Sequence, residues 1–376
     1  MFCTEATDGA ARAGWVETPR GRILTPCFMP VGSRGVVRLL SAEDLEPLGP
    51  QVLLANSYHL MLRPGAETVA ELGGLHAFTG WQGHFLTDSG GYQVMSLPCA
   101  VDDQGVEFRS SYDGAWYRLT PEKAVAVQEL LGADIQMVLD VCTELPASRA
   151  AVVEAGKRTL AWAGRAREAH CRPGQLLFGI VQGGIEADLR AEYAERLVAI
   201  GFDGYALGGL SVGETPEQML AALAAALPAL PPDKPRYLMG VGDPWGLVAA
   251  IGLGVDMFDC VLPTRLGRHG TALTSSGRVA VKAGRFARDE SPLDPGCGCR
   301  VCRRHSRGYL RHLFNVGEPS GGRLVSLHNL AWLHGLVVRA REAVRDGRLA
   351  ALQEEVALTW GKQRLGSRLQ GNGPRR

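Results

Sequence analysis

Eight short apolar runs, separated by longer stretches of helical character, organise the chain from about residue 25 to residue 263. They are Cys27–Val31, Gln51–Ala55, His84–Thr87, Ile135–Leu139, Leu176–Val181, Gly204–Leu207, Arg236–Gly240 and Asp256–Val261, each short enough for a buried strand. The segments between them carry helix signals. Ser41-Ala-Glu-Asp44 and Thr120-Pro-Glu-Lys123 read as N-caps followed by acidic first turns, and Thr215-Pro-Glu217 repeats the device with Pro at the first helical position. Glu186 to Ile200 places Leu189, Tyr193, Leu197 and Ile200 on one helical face. Residues 101–119 read as a small β-hairpin insertion, with Asp113-Gly114 as a turn. This alternation predicts an α/β chain, either a (β/α)8 TIM barrel or an open doubly wound sheet. Polar residues at the C-terminal ends of successive strands (Asn56, Asp88, Asp140, Gln182, Gly208-Gly209, Asp259) favour the barrel. In a barrel those ends converge on one rim, where active sites are built.

The alternation breaks after the eighth run. Residues 1–263 are expected to hold the barrel strands and 264–330 a Gly- and Arg-rich insertion. A last barrel helix is expected over 328–350 and a tail over 351–376. Three of the nine cysteines fall in the insertion as Cys297-Gly-Cys-Arg-Val-Cys302. The N-terminus (Met1 to Glu5) lacks a basic patch followed by an apolar stretch, so a reducing, cytoplasmic setting is expected. Clustered thiols there read as metal ligands before disulfides. Cys297, Cys299 and Cys302 plus one imidazole would make a closed tetrahedral structural Zn2+ site, one per chain. His328 is the nearest plausible fourth ligand, with His305 and His312 as competitors. The longest apolar run, Met219 to Leu230, is 12 residues, short of the roughly 20 that span a bilayer, so no membrane association is expected.

Two carboxylates carry candidate chemistry. Asp88 lies in Thr-Asp-Ser-Gly-Gly-Tyr92, where Gly90 and Gly91 let backbone approach a ligand and Tyr92 offers a flat face. Asp259 lies in Met257-Phe-Asp-Cys-Val261, between apolar neighbours that would desolvate it, as suits a nucleophile or a shifted acid. A carboxylate pair across a barrel mouth is the minimum equipment for displacement at a sugar's anomeric carbon: one attacks, the other manages the leaving group's proton. Asp140, Gln182 and the Gly208-Gly209 backbone supply donors and acceptors suited to the edge of a planar heterocycle. Met239 and Tyr92 could cover its faces.

These motifs, with Asn-Ser-Tyr-His-Leu (56–60), Thr-Asp-Ser-Gly-Gly-Tyr-Gln-Val (87–94), Gly-Ile-Val-Gln-Gly-Gly (179–184), Gly-Gly-Leu-Ser-Val-Gly-Glu (208–214), Tyr-Leu-Met-Gly-Val-Gly (237–242) and Asp-Met-Phe-Asp-Cys-Val-Leu-Pro-Thr-Arg (256–265), come in a telling number and order. From about residue 10 to residue 350 the sequence resembles the bacterial tRNA-guanine transglycosylases of the queuine tRNA-ribosyltransferase family. The resemblance implies an irregular (β/α)8 barrel with an inserted zinc-binding subdomain, and exchange of guanine at the anticodon wobble position of tRNA. Asp259 matches the family's nucleophile and Asp88 its general acid/base. Asp88, Ser89, Gly90, Gly91, Tyr92, Asp140, Gln182, Gly209 and Met239 match the base pocket. Glu214 looks like the support of the Leu210–Ser211 peptide. Gly240, Val241, Gly242, Asp243, Pro244, Trp245 and Gly246, with Thr264, Arg265, Leu266, Gly267 and Arg268, match RNA-contacting segments. Cys297, Cys299, Cys302 and His328 match the zinc ligands. Val212 and Cys142 look like the bacterial form, whose incoming base is 7-aminomethyl-7-deazaguanine, a small-molecule deazaguanine. The family usually pairs as a homodimer. Val141, Asp243, Gly246, His269 and His305 depart from the usual bacterial pattern.

The net charge of +1 first reads as a poor match to a tRNA partner, but it is an average. Residues 261–325 hold 12 basic and 4 acidic side chains, and the remainder of the chain is net acidic. The excess falls on the insertion beside Asp259, where phosphates would lie.

Overall fold

The computed structural model describes residues 1–361; the far part of the expected tail, 362–376, lies outside the described residues. Eight parallel strands close into a barrel: β1 Cys27–Gly32, β2 Val52–Asn56, β3 His84–Asp88, β4 Ile135–Met137, β5 Leu176–Val181, β6 Gly204–Leu207, β7 Arg236–Leu238 and β8 Met257–Cys260. Each pairs with the next, and β8 returns to β1 in the register Met257↔Cys27 to Cys260↔Pro30. An open sheet is thereby excluded. The strands are apolar because both faces are covered, and Phe28, Phe85, Phe178 and Phe258 are buried, Phe28 and Phe258 directly opposite one another.

The N-terminal 25 residues, for which no element was expected, form an antiparallel three-stranded sheet of Phe2–Asp8, Ala11–Thr18 and Gly21–Thr25. It closes the N-terminal end of the barrel. Arg12 forms a buried ion pair with Asp256, just ahead of β8, and Thr18 bonds the imidazole of His84 at the start of β3 (3.0 Å). The opposite end is left as the mouth.

The expected caps form as the sequence dictates. Thr120 and Thr215 accept from the backbone N–H groups of Lys123 and Gln218, and Gln218 returns the bond to Thr215 in a capping box. The insertion after β3 is a three-stranded antiparallel sheet, Cys99–Val101, Val106–Arg109 and Trp116–Leu119, rather than a simple hairpin. It packs Val106, Phe108 and Leu119 with Tyr58 and Trp162 in a satellite core.

The helix expected over 328–350 spans Pro319–Arg345, so His328 sits inside it rather than at its start. Glu318 is the N-cap, accepting from Ser320, with Pro319 at the first position. Gly321-Gly322 looks like a breaker but is a contact surface: a Cβ at Gly322 would lie 3.3 Å from the Arg268 backbone. Reciprocally, one at Gly267 would lie 2.6 Å from Ser326. The two helices, Leu262–Arg268 and Pro319–Arg345, pack at backbone distance, and this fixes the insertion against β8. Beyond it, Leu349–Trp360 is a further helix where a tail was expected.

Candidate active site and metal centre

Asp88 ends β3 and leans toward the neighbouring strand end. Asn56, the last residue of β2, donates from Nδ2 to its Oδ2 at 2.6 Å, while the N–H groups of Ser57 and Gly90 donate to its Oδ1 (3.1 and 3.2 Å). The same Asn56 caps the following helix by accepting from His59 N–H. Burial pushes the Asp88 carboxyl from 3.8 up to about 7, the negative charges of Asp259 and Asp140 add to the rise, and the backbone donors oppose it. At neutral pH the group therefore samples both protonation states, as a proton shuttle requires.

Asp259 enters from β8. Tyr237 of β7 donates its hydroxyl to Oδ1 at 2.6 Å, and Gly240 N–H donates to the same oxygen at 2.8 Å. Oδ2 receives neither donor. Burial raises this carboxyl too, while both donors act to lower it. The pair is asymmetric: one carboxylate is held by one oxygen with the other presented, and one is poised to exchange a proton.

Beside them, Gln182 directly after β5 donates to Asp140 at 2.6 Å. Burial pushes the Asp140 carboxyl up to about 6, and the Gln182 bond works against it. The turn after β6 must be glycine here. Gly209 has φ of 63°, and a Cβ on it would lie 2.3 Å from Gln182 Oε1. Met239, just beyond β7, is half-buried, and Tyr92, four residues beyond the end of β3, is 55% exposed. Glu214 accepts from the N–H groups of Ser211 and Val212, the latter at 3.0 Å. The trans Leu210–Ser211 peptide thus turns its Leu210 carbonyl away from Glu214. Ser211 itself sits at φ 61°.

Arg190 was not singled out in the sequence, yet it organises this wall. Fully buried, it donates to the carbonyls of Gly184 (2.8 Å), Val181 (3.1 Å), Gly208 (2.8 Å) and Gly209 (3.3 Å). Burial lowers its pKa to about 10, which leaves it charged. The available signal was an arginine in line with Ala194 and Leu197, at i, i+4, i+7, on the buried side of its helix. In the sequence, Asn56 is marked only as a polar strand end and Tyr237 only as part of a motif; their bonds to Asp88 and Asp259 are what the structure adds.

The segments expected to touch RNA are only partly exposed. Gly240 and Arg265 lie at the surface and Arg268 is half-buried, whereas Val241, Gly242, Pro244, Gly246, Thr264, Leu266 and Gly267 are buried. Asp243 and Gly246 are complementary departures. Asp243 caps the helix Pro244–Gly252 by accepting from Gly246 N–H (2.8 Å), and a Cβ at 246 would lie 2.6 Å from its carboxylate. Several insertion arginines are occupied structurally: Arg300 and Arg323 both pair with Asp44, and Arg307 pairs with Asp289.

Cys297, Cys299, Cys302 and His328 bring one ligand atom each within 4.8 Å of one another, the compactness of a tetrahedral ion site. His328 Nδ1 lies 3.5 and 3.3 Å from the sulfurs of Cys299 and Cys302, and its Nε2 is engaged with the Leu273 carbonyl at 2.7 Å. That bond fixes the tautomer and frees Nδ1 to ligate. His305 instead stacks on Tyr309, and neither His305 nor His312 joins the cluster.

A closed (β/α)8 barrel whose mouth holds two desolvated carboxylates, with a Cys3His unit inserted after its eighth strand, is the frame of a barrel transferase with an accessory metal-binding subdomain. The chain belongs to the queuine tRNA-ribosyltransferase family, whose model matches residues 7–362. It is 51% identical to the queuine tRNA-ribosyltransferase of Thermus thermophilus over 358 residues, 95% of this chain and 93% of the other. The protein of that name from Solidesulfovibrio magneticus is 51% identical, over 93% and 95% of the two chains, and that of Geobacillus kaustophilus 50%, over 93% of each.

Proposed function

We propose that this protein is a tRNA-guanine transglycosylase that exchanges guanine at position 34 of GUN anticodons for 7-aminomethyl-7-deazaguanine, a step of queuosine biosynthesis. The observation that carries the reading is the asymmetry of Asp259 and Asp88. Oδ2 of Asp259 attacks the ribose C1′ as the bond from C1′ to guanine N9 breaks, giving a covalent RNA–enzyme ester. Asp88 gives its proton to the departing guanine. The incoming base then loses a proton to Asp88 and attacks C1′ through N9, expelling the Asp259 carboxylate. Atoms and charge balance across the two displacements, and no energy source is consumed.

Asp140, Gln182 and the peptides of Gly209 and Leu210 read the base edge, Ser89 to Gly91 line its approach, and Met239 and Tyr92 cover its faces. With its N–H groups held by Glu214, the Leu210–Ser211 peptide offers the Leu210 carbonyl as acceptor for the aminomethyl group. The exposed members of 240–246 and 264–268 meet the anticodon loop. The Cys3His cluster holds one structural Zn2+, which takes no part in the displacement. The enzyme works in the cytoplasm as a homodimer; no helix of the described residues is long and apolar enough to cross a membrane.

The test is guanine exchange into unmodified tRNA with 7-aminomethyl-7-deazaguanine and queuine as competitors, together with trapping of the adduct on denaturing gels. Wild type is expected to form the adduct and Asp259→Asn not to form it. An adduct that survives the change sinks Asp259 as nucleophile, and no exchange by wild type favours a silent RNA-binding subunit.

A further inference from the structure

Three segments that follow neighbouring barrel strands meet around one aromatic ring. Arg34 stands two residues beyond β1, Arg63 ends the helix Ser57–Leu62 after β2, and Tyr112 belongs to the insertion after β3. The guanidinium carbons of Arg34 and Arg63 lie 5.6 and 5.0 Å from the centroid of the Tyr112 ring. Arg63 also donates to the Tyr112 carbonyl (3.2 Å), and the Tyr112 hydroxyl bonds His59 Nδ1 (2.9 Å). The neighbouring turn is pinned by Tyr58, whose hydroxyl lies 3.0 Å from Ser111 Oγ.

Two cations drawn to one neutral ring are an unusual surface arrangement. Both arginines are exposed, and among the described residues neither forms an ion pair with a carboxylate. His59 adds no third charge: burial, then the positive field of Arg34, lowers its pKa and keeps it neutral. The ring face and the anchored turn hold the charges in place without cancelling them, which leaves both open to an anion from outside the chain.

The position of this cluster says what that anion is. All three segments leave the C-terminal ends of their strands, so they share the rim that carries the carboxylates. His59 N–H bonds Asn56 (3.2 Å), and Asn56 bonds Asp88 (2.6 Å), which sets the cluster one helical turn from the candidate acid/base. Arg265 and Arg268 follow β8, on the other side of β1. In the barrel order β1 and β2 stand between β8 and β3, so Arg265, Arg268, Arg34 and Arg63 follow one arc of the rim that runs from the strand of Asp259 to the strand of Asp88. An extended polyanion such as a nucleic-acid strand matches a line of charges along such an arc.

Resting on the proposed tRNA exchange, we infer that Arg34 and Arg63, held by Tyr112, bind backbone phosphodiester of the substrate tRNA beside the exchanged nucleotide, continuing the arc of the rim begun by Arg265 and Arg268. These are binding residues, not catalytic ones. Their contribution is electrostatic and independent of base identity.

The test compares wild type with Arg34→Gln/Arg63→Gln and with Arg34→Lys/Arg63→Lys, using unmodified substrate tRNA over a salt series. The Gln pair is expected to raise the tRNA Kd by roughly tenfold and to flatten the slope of log K against log salt by about 1–2. KM for the free base, and kcat at saturating tRNA, should stay put. The Lys pair should keep most of the slope, which separates lost charge from lost folding; thermal melts of both variants are compared with wild type. An unchanged Kd and slope in a well-folded Gln pair overturns the inference while leaving the exchange reading intact. A wild type that neither binds nor modifies tRNA overturns that reading itself, and this inference falls with it.

Discussion

Tyr237 grips Asp259 by a single oxygen: its hydroxyl donates to Oδ1 at 2.6 Å, on the same atom that receives Gly240 N–H. The bond stabilises the ionised carboxylate and aims Oδ2 at the mouth. Tyr237→Phe removes it without changing the ring. A hydrogen bond to a charged group contributes about 1.5–3 kcal/mol, so adduct formation should slow roughly 10- to 100-fold. Because the lost donor had lowered the carboxyl's pKa, the acidic limb of the pH–rate profile should move to higher pH. A slower rate with an unmoved limb would assign Tyr237 to orientation alone.

On the proposed mechanism, Asp88 sets the opposite limb. Its carboxyl is pushed up to about 7, and only the protonated form can supply guanine's proton. Single-turnover adduct formation should therefore fall by about tenfold per pH unit well above 7. Linkage has the matching sign. The folded pKa stands above the ordinary 3.8, so the folded state binds the extra proton, and this stability is present below about 4 and lost as pH rises through about 7. Asp140 and Asp256, both pushed up to about 6, act the same way. Chemical denaturation is expected to show lower stability at pH 8 than at pH 5.5; the reverse trend would contradict these burials.

Gly209→Ala tests the fit of the base wall. The new methyl would lie 2.3 Å from Gln182 Oε1, at a φ that disfavours any side chain. Gln182 must move off Asp140, so KM for the free base should rise at least about tenfold. Asp259 and its donors are untouched, and the rate at saturating base should suffer less. Equal losses in both constants would mean that the turn shapes the reacting centre as well.

Cys302→Ser should abolish metal binding, since three ligands cannot close the tetrahedron. Metal analysis of wild type should give one zinc per chain and of the variant close to none. The variant should also melt earlier, because ion binding and folding of the insertion are coupled. A wild type free of metal would refute the centre.

How much of this was legible in advance depends on what covers each residue. Leu176–Val181 and Gly204–Leu207 have the bounds read from the sequence, because strands buried on both faces are plain apolar runs. Ile135–Leu139 and Arg236–Gly240 run two residues past the ladder. There the chain stays apolar while it leaves the sheet to carry Asp140 and Gly240 to the mouth. The N-terminal sheet escaped notice because its strands mix buried and exposed positions: Phe2–Asp8 buries Phe2 and exposes Thr4 and Glu5. Asp88 and Asp259 stood out as acids among apolar or glycine neighbours. Arg190 did not, since its four carbonyl partners come from the end of β5 and from the turns after β5 and β6, which no periodicity brings together.

Asp44, in the short helix after β1, accepts from both Arg300 and Arg323 at 2.5 Å. Arg300 lies between two of the metal-ligand cysteines, and Arg323 shares a helix with His328. One carboxylate in the segment after β1 thus ties both the thiolate-bearing loop and the His328 helix to the barrel. On the proposed function, an ion held by that cluster would act on the exchange at a distance, as a ruler governs a drawing, by fixing where the insertion stands relative to the barrel. Loss of metal should then blur the register of substrate before it unfolds anything.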